Sequence, residues 1–252
     1  MIFCSLKSIS RAILVAAAAS PLAWWAVGGS IGEEIRTSPN AVVELFTSQG
    51  CASCPPADEL LGELSARRNV VALAYHVDYW DYIGWADTFA DPAYSDLQRS
   101  YASSWGKSRI YTPQLIINGT RGLVGSRRAE IEEALSEAEL PLEVGLIYAD
   151  GVLAVRIGGN EDYPESSIWL VTYRSEADVD ISRGENRGHS ITYVQIVTSR
   201  QVLGMWEPKQ GAALRLPLSD VLSGESDGVA IVVQQQKDGL PGPIIGAALF
   251  EM

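Results

Sequence analysis

The stretch "SQGCASCPP", residues 48–56, constrains the fold of this chain more than any other segment, because it places two cysteines three residues apart. An apolar strand candidate, "AVVELFT" (41–47), precedes it, and "PADELLGELSARR" (56–68) follows with leucines at helical spacing. A C-x-x-C loop between a strand and a helix can perform thiol chemistry, bind a metal or close a structural ring. The rest of the chain bears on that choice.

Strands and helices alternate between residues 40 and 140, which predicts an α/β domain whose sheet is covered by helices. The order is strand, C-x-x-C loop, helix, strand, helix, hairpin, helix. The signals for the later elements are the apolar run "VVALAYHV" (70–77), the cap Asp91-Pro92, the turn Asn118-Gly119 and the cap Ser126.

The pattern changes after Pro141. Seven short β-rich runs follow, from "LEVGLIY" to "IIGAALFE", and Gly, Pro and Asp turns separate them. This spacing predicts an all-β sandwich over residues 141–252, with the domain boundary near Leu140 to Leu142.

The N-terminal residues have the layout of a secretory signal. Lys7 and Arg11 precede an apolar stretch that ends in small residues, and no acidic residue occurs before Glu33. We therefore expect residues 1–28 to be a signal peptide and the protein to be periplasmic or secreted. The alternative is an uncleaved anchor, since the uncharged stretch of 21 residues from Ala12 to Gly32 is long enough to span a bilayer.

Cleavage of this leader removes Cys4 and leaves Cys51 and Cys54 as the only cysteines of the mature chain. An even number of cysteines in an exported protein favours a disulfide. The formal charge of −12 disfavours nucleic acid as a partner, and no glycine-rich phosphate loop precedes a helix. The sequence predicts no organic cofactor.

Three segments together resemble one family: "FTSQGCASCPPAD", "HVDYWDYIGWADTFA" and "GENRGHSITYVQIV". They are similar to the secreted thioredoxin-like proteins grouped as domain of unknown function 1223, a family of bacterial proteins. The resemblance implies a thioredoxin-like fold for residues 40–140 and export to the periplasm. It also implies a cis proline facing the cysteines, which "IYTPQLIING" supplies at Thr112-Pro113.

The resemblance assigns roles to four residues. Cys51 is the expected nucleophile, Cys54 the expected resolving thiol, and Thr112 with Pro113 the expected backbone platform for a substrate strand. Thiol-disulfide exchange proceeds by thiolate attack and a mixed disulfide, with a protein or a small thiol as substrate. The chain departs from ordinary thioredoxins because Ala-Ser separates the cysteines, no Trp precedes Cys51, and a long insert follows Val77.

The two prolines after Cys54 affect the expected reactivity. Proline disfavours helical geometry in the preceding residue, so the helix is predicted to begin at Pro56. Cys51 then lies farther from the helix N-terminus than Cys54, and we expect weak electrostatic activation of its thiol. Cys51 is also expected to be the exposed sulfur of the pair.

Two hypotheses compete with an enzymatic role. His76 lies at the end of the predicted strand 70–77 and is a candidate general base, or a ligand that joins Cys51 and Cys54 around Cu(I). A lone histidine at a strand end is more often structural, as we expect for His189. In the third hypothesis the protein is a non-enzymatic binding module, and the cysteines form a structural bridge.

The segment from His76 to Trp105 contains eight of the 21 aromatic residues of the chain. Such a cluster can line a groove for a peptide or small ligand. The helical spacing of Tyr94, Tyr101 and Trp105 favours packing of this insert against the body of the protein instead.

Overall fold

The computed structural model describes residues 34–222 and 224–252, so the predicted signal peptide lies outside the described residues. The described strands are β1 (Glu34–Arg36), β2 (Ala41–Thr47), β3 (Val70–His76), β4 (Gln114–Ile117), β5 (Arg121–Val124), β6 (Val144–Ala149), β7 (Val152–Ile157), β8 (Ser166–Asp180), β9 (Ser190–Trp206), β10 (Ala212–Pro217), β11 (Gly228–Lys237) and β12 (Leu240–Glu251). The described helices are α1 (Pro55–Ser65), α2 (Pro92–Ser104), α3 (Arg128–Ser136), α4 (Leu218–Val221) and a 3-10 helix at Asp81–Ile83. Over these residues, no helix combines the length and the apolar character needed to cross a membrane.

Nine strands form one mixed sheet in the order β1-β12-β11-β8-β9-β3-β2-β4-β5. β2 and β3 run parallel, β4 pairs antiparallel with β2, and β9 joins the other edge of β3 with Ala74 opposite Ile196. The predicted fold class, an α/β thioredoxin-like domain followed by an all-β sandwich, is therefore wrong. The described chain is mostly β, and strands from both halves share a single sheet because β9 pairs with the edge of β3 that would otherwise be open.

The seven strands predicted after Pro141 are all present, but they divide between two sheets. β8, β9, β11 and β12 belong to the nine-stranded sheet, whereas β6, β7 and β10 form a three-stranded sheet of their own. The two sheets pack through a buried apolar cluster that includes Val144, Val155, Ile168, Val229 and Phe250.

β2 carries the chain into the cysteine loop and is buried along its whole length. Val43 and Leu45 face the apolar cluster under α1 and α3, whereas Val42 and Phe46 face the cluster under α2. A strand covered on both faces has a continuous apolar sequence, as this one does. The end of β2 at Thr47 is therefore held firmly from both sides.

The local predictions for residues 40–140 hold with small shifts. Asn118 and Gly119 have φ angles of 47° and 67°, as the predicted tight turn requires. Asp91 caps α2 by accepting a hydrogen bond from the amide of Ala93 at 2.8 Å. The predicted cap at Ser126 is wrong, since the N-cap position of α3 is Arg127, whose side chain makes no capping hydrogen bond.

The predicted start of α1 at Pro56 is wrong by one residue. α1 begins at Pro55, and its N-cap Cys54 has φ −80° and ψ −37°, within the helical region. Proline is well accommodated in the first turn of a helix, and the carbonyl of Cys54 accepts hydrogen bonds from the amides of Ala57 (2.8 Å) and Asp58 (3.1 Å). These helical bonds outweigh the local preference against helical geometry before proline.

Candidate functional site

Cys51 and Cys54 form a disulfide in the loop between β2 and α1, with their Cα atoms 5.4 Å apart. Two successive tight turns shape this loop. The amide of Cys51 donates to the carbonyl of Ser48 at 3.1 Å, and the amide of Cys54 donates to the carbonyl of Cys51 at 3.2 Å. The sulfur of Cys54 therefore lies at the N-terminus of α1.

The disulfide is buried, since Cys51 is 1% exposed and Cys54 is 0% exposed. The prediction that Cys51 is open to solvent is wrong. The segment after β3 packs on the same loop, since a Cβ atom at Gly50 would lie 3.1 Å from Trp80 Cβ. A residue far along the chain also contacts this loop.

That residue is Asn186, in the β8–β9 loop (residues 181–189). Its side-chain amide nitrogen donates to the carbonyl oxygens of Gln49, at 2.9 Å, and of Cys51, at 3.1 Å. Asn186 is 5% exposed, although its neighbours Glu185 and Arg187 are exposed. One inward-pointing side chain thus ties an otherwise exposed loop to the backbone of the cysteine loop.

Thr112 and Pro113 lie close to the same helix N-terminus. The peptide bond between them is cis, as the family resemblance implied. The indole nitrogen of Trp80 donates to Thr112 Oγ1 at 2.7 Å, which connects the segment of the cis peptide bond to the residue whose Cβ and carbonyl oxygen lie against Gly50. A Cβ atom on Gly125 would lie 3.0 Å from Ala57 Cβ and 3.1 Å from Pro113 Cβ, so only a glycine separates Pro113 from the first turn of α1.

His76 ends β3 directly opposite Thr47 of β2 and is fully buried. Its Nδ1 lies 2.8 Å from Asp87 Oδ2, which also accepts the backbone amide of Gln49 at 2.7 Å. Burial by itself would raise the pKa of Asp87, but the charge and hydrogen bond of His76 and the amides of Gln49 and Phe89 hold that pKa below its usual value. An ionised carboxylate only accepts hydrogen bonds, so Nδ1 of His76 carries the proton.

Asp58 is a second buried carboxylic acid beside this pair. Burial raises its pKa to about 7, although a hydrogen bond from Thr47 Oγ1 at 2.7 Å and the charge of His76 act in the opposite direction. Asp58 lies four residues after Cys54, one turn farther along the same face of α1. A group with this pKa can accept or release a proton near neutral pH.

Three polar atoms in this interior have no hydrogen-bond partner within the described part of the chain: Asp58 Oδ2, His76 Nε2 and Tyr193 OH. The rings of His76 and Tyr193 meet edge to face, with centroids 5.0 Å apart. The buried titratable side chains of Asp58, His76 and Tyr193 therefore each keep one polar atom without a hydrogen bond to another described residue.

The described residues do not gather the ligands that the copper hypothesis requires. No group of three or more His, Cys, Asp and Glu side chains in residues 34–222 and 224–252 is arranged to hold a metal ion. His76 uses Nδ1 for Asp87, and the sulfurs of Cys51 and Cys54 are bonded to each other. Cu(I) binding stays a prediction without structural support.

Residues 42–234 match the family described as "Protein of unknown function (DUF1223)". This chain belongs to the DUF1223 family. The match confirms the predicted membership of this family, whereas export of the protein stays a prediction. No functionally curated protein matches the sequence of this DUF1223 protein.

Two solved structures resemble it. The crystal structure of protein AGR_C_4864 from Agrobacterium tumefaciens is 33% identical in sequence, with a TM-score of 0.77, and the match covers 85% of this chain and 95% of that one. HBP35 of Porphyromonas gingivalis is 14% identical, with a TM-score of 0.55, over 84% of this chain and 75% of that one. The second likeness concerns the fold alone.

The aromatic residues of this DUF1223 protein divide into buried and solvent-exposed rings. Tyr94 and Tyr101 are buried in the core under α2, as their helical spacing favoured. Tyr82, in the 3-10 helix, is 82% exposed, and Tyr111, directly before Thr112, is 39% exposed. Some of the rings therefore face solvent, Tyr111 beside the cis peptide.

The sequence reasoning missed Asp58, Asp87 and Asn186 as parts of the site. Asp58 had a usable signal, since its i+4 spacing from Cys54 places both on one face of the helix. Asp87 had a weaker signal within an aspartate-rich segment. Asn186 lies 135 residues from Cys51, and nothing in the local pattern of either segment connects them.

Proposed function

We propose that this DUF1223 protein is exported and exchanges thiols and disulfides through Cys51 and Cys54. The observation that carries the proposal is the disulfide closed between these residues at the first turn of α1. A helix N-terminus stabilises a thiolate, so the thiolate of Cys54 that forms when this bond is reduced is stabilised by α1. The buried acid Asp58 and the His76–Asp87 pair support the same chemistry.

The exchange takes place in two steps that balance. A client thiolate attacks Sγ of Cys51, the bond between the client sulfur and Cys51 forms, and the Cys51–Cys54 bond breaks with Cys54 leaving as a thiolate. A second client thiolate then attacks the client sulfur of the mixed disulfide and releases Cys51 as a thiolate. The client loses two electrons and the cysteine pair gains them, and the reverse steps reduce a client disulfide.

Asp58 provides a proton carrier for the thiolate of Cys54. It lies one helical turn from Cys54 and has a pKa of about 7, so a substantial fraction is protonated at neutral pH. A donor with a pKa near the working pH transfers protons in either direction with little energetic penalty.

A trapping experiment tests the exchange. With Cys54→Ser, Cys51 is expected to attack an insulin disulfide and remain joined to it, because the resolving sulfur is absent. Cys51→Ser is the matched control and is expected to form little adduct. Mass spectrometry under non-reducing conditions detects the product, and the intact protein is expected to accelerate insulin reduction by dithiothreitol. Absence of both the adduct and the acceleration would contradict the proposal.

A structural bridge is the second candidate, and the burial of both sulfurs favours it. The reduction potential of the pair distinguishes the two functions, since structural disulfides have potentials below about −300 mV and exchange-active pairs have higher ones. Equilibration of the mature protein with dithiothreitol buffers, followed by thiol alkylation, measures this potential.

The exported location is a separate part of the proposal. It rests on the leader-like N-terminus and on an even cysteine pair, which persists as a disulfide in an oxidising compartment. N-terminal sequencing of protein recovered from the periplasmic fraction is expected to start near residue 28. Recovery of the full-length chain from the cytoplasm alone would contradict export.

A further inference from the structure

The β8–β9 loop contacts the backbone of the cysteine loop, although the exchange chemistry does not itself require this contact. The β8–β9 loop turns back on itself, with the amide of Ile181 donating to the carbonyl of His189 at 2.9 Å and the amide of Gly188 donating to the carbonyl of Ile181 at 2.7 Å. Gly184 and Gly188 have φ angles of 75° and 84°, a conformation that glycine adopts readily. The loop is therefore a compact unit joined at one end to two long strands.

Few groups hold this unit against the cysteine loop. Asn186 is the one side chain between residues 182 and 190 that is buried, and it supplies the two hydrogen bonds to the carbonyls of Gln49 and Cys51. Gly184 lies against the side chain of Trp85, where a Cβ atom would approach Trp85 Cβ to 3.1 Å. The hydrogen bonds thus depend on a single carboxamide.

We infer that the β8–β9 loop is a removable cover over the disulfide and that Asn186 is the positioning residue that latches it. The inference rests on the proposed function and deepens it, because a client sulfur must reach Cys51 along the line of the Cys51–Cys54 bond, and Cys51 is 1% exposed. Displacement of Asn186 frees the carbonyls of Gln49 and Cys51. Thiol-disulfide exchange then occurs from the open form, and the hydrogen bonds of Asn186 determine the population of that form.

The rate of disulfide reduction in the folded protein tests the cover directly. A water-soluble trialkylphosphine attacks one sulfur, the S–S bond breaks, and water supplies the oxygen of the phosphine oxide and the two protons of the thiols. Two hydrogen bonds of ordinary strength correspond to roughly 10- to 100-fold in the opening equilibrium. Asn186→Ala is therefore expected to raise the reduction rate at least about tenfold over the intact protein.

Asn186→Asp and Glu185→Ala are the matched variants. Asn186→Asp keeps the size of the side chain but lacks the N–H donors, so it is expected to accelerate reduction as Asn186→Ala does. Glu185→Ala alters the exposed neighbour and is expected to leave the rate within about twofold, as is typical of a surface change with no special contact. Near-ultraviolet circular dichroism before reduction shows that each variant is folded.

A second reductant separates access from chemistry. Because opening is a property of the protein, the acceleration caused by Asn186→Ala is expected to be the same with dithiothreitol as with the phosphine. Equal rates for the intact protein and both Asn186 variants would overturn the cover, whatever insulin reduction shows. Accelerated reduction together with inactivity toward insulin would support the cover and contradict the proposed function.

Should both Asn186 variants fail to fold, hydrogen exchange on the intact protein decides the question. The side-chain amide protons of Asn186 bond the carbonyls of Gln49 and Cys51, so they are expected to exchange through an opening that needs much less free energy than global unfolding. Exchange of these protons only through global unfolding would overturn the inference.

Discussion

The indole nitrogen of Trp80 donates a hydrogen bond to Oγ1 of Thr112 at 2.7 Å. Trp80 packs on Gly50, and Thr112 precedes the cis proline, so this single bond connects the cysteine loop with the segment that enters β4. Gly50 and Thr112 are 62 residues apart in the chain. The bond therefore fixes the relative position of the two parts of the candidate site.

A double-mutant cycle is expected to measure the contribution of this bond. Trp80→Phe and Thr112→Val each remove one partner, and their coupling energy is expected to be about 1 kcal/mol, typical of a partly buried hydrogen bond. Urea denaturation of the four proteins gives the free energies of unfolding. Additive effects of the two substitutions would show that the bond contributes nothing.

Asp58 is expected to make the stability of the protein depend on pH. Its pKa is about 7 in the folded protein and 3.8 as an ordinary side chain, so the folded state binds this proton more tightly than the unfolded state does. The contribution of this proton to the free energy of unfolding is fully present below about pH 4 and is lost as the pH rises to about 7. The total loss over this range is at most ~4 kcal/mol.

Asp58→Asn is expected to flatten this decline, because asparagine has no proton to lose. The measurement is the difference in unfolding free energy between the intact protein and the variant at several pH values from 4 to 8. Asp162→Asn, at an exposed position, is the control and should leave the slope unchanged. A difference that is constant over this pH range would contradict the assigned pKa.

Tyr101 is expected to be important for stability through Glu44. Its hydroxyl donates to Glu44 Oε2 at 2.6 Å and accepts a hydrogen bond from Gln234 Nε2 at 2.7 Å. Burial raises the pKa of Glu44, while this hydrogen bond acts in the opposite direction. Tyr101→Phe leaves buried polar atoms without this partner and is expected to lower the free energy of unfolding by about 1–3 kcal/mol.

Chemical denaturation checks the prediction for Tyr101. Tyr82→Phe removes a hydroxyl from a ring that is 82% exposed, and its effect is expected to lie within about 0.5 kcal/mol. Equal effects of the two substitutions would show that the contact with Glu44 does not stabilise the fold.

Cys51 is expected to be only weakly acidic once the disulfide is reduced. Cys54 is the N-cap of α1, whereas Cys51 lies three residues before it and farther from the favourable helix terminus. In a Cys54→Ser protein, the alkylation rate of Cys51 should rise with a midpoint nearer the ordinary cysteine value of about 8.5 than the value of about 3.5 known for the most acidic thiols. A midpoint below about 6 would contradict this expectation.

Much of the local structure could be predicted from the sequence, because the signals were short in range. The apolar run of β2, the cap at Asp91 and the turn at Asn118-Gly119 each depend on a few neighbouring residues. All of these elements are present in the structure. The cysteine pair and its helix were likewise identified from one contiguous segment.

The fold class could not be predicted in the same way. Nothing in the sequence of β3 shows that β9 pairs with its outer edge, because a strand that is buried on both faces looks the same whether it lies at the centre or the edge of a sheet. The burial of Cys51 was missed for a related reason, since Asn186 and Trp80, which contact the cysteine loop, come from distant parts of the chain.

The pairing of β3 with β9 has a consequence for truncated forms of this protein. A fragment that stops near residue 140 loses the strand that covers β3 and the side chain of Val194, which packs beneath α1. The unpaired N–H and C=O groups of β3 would then be open to pairing with the same edge of another copy, so the fragment is expected to aggregate.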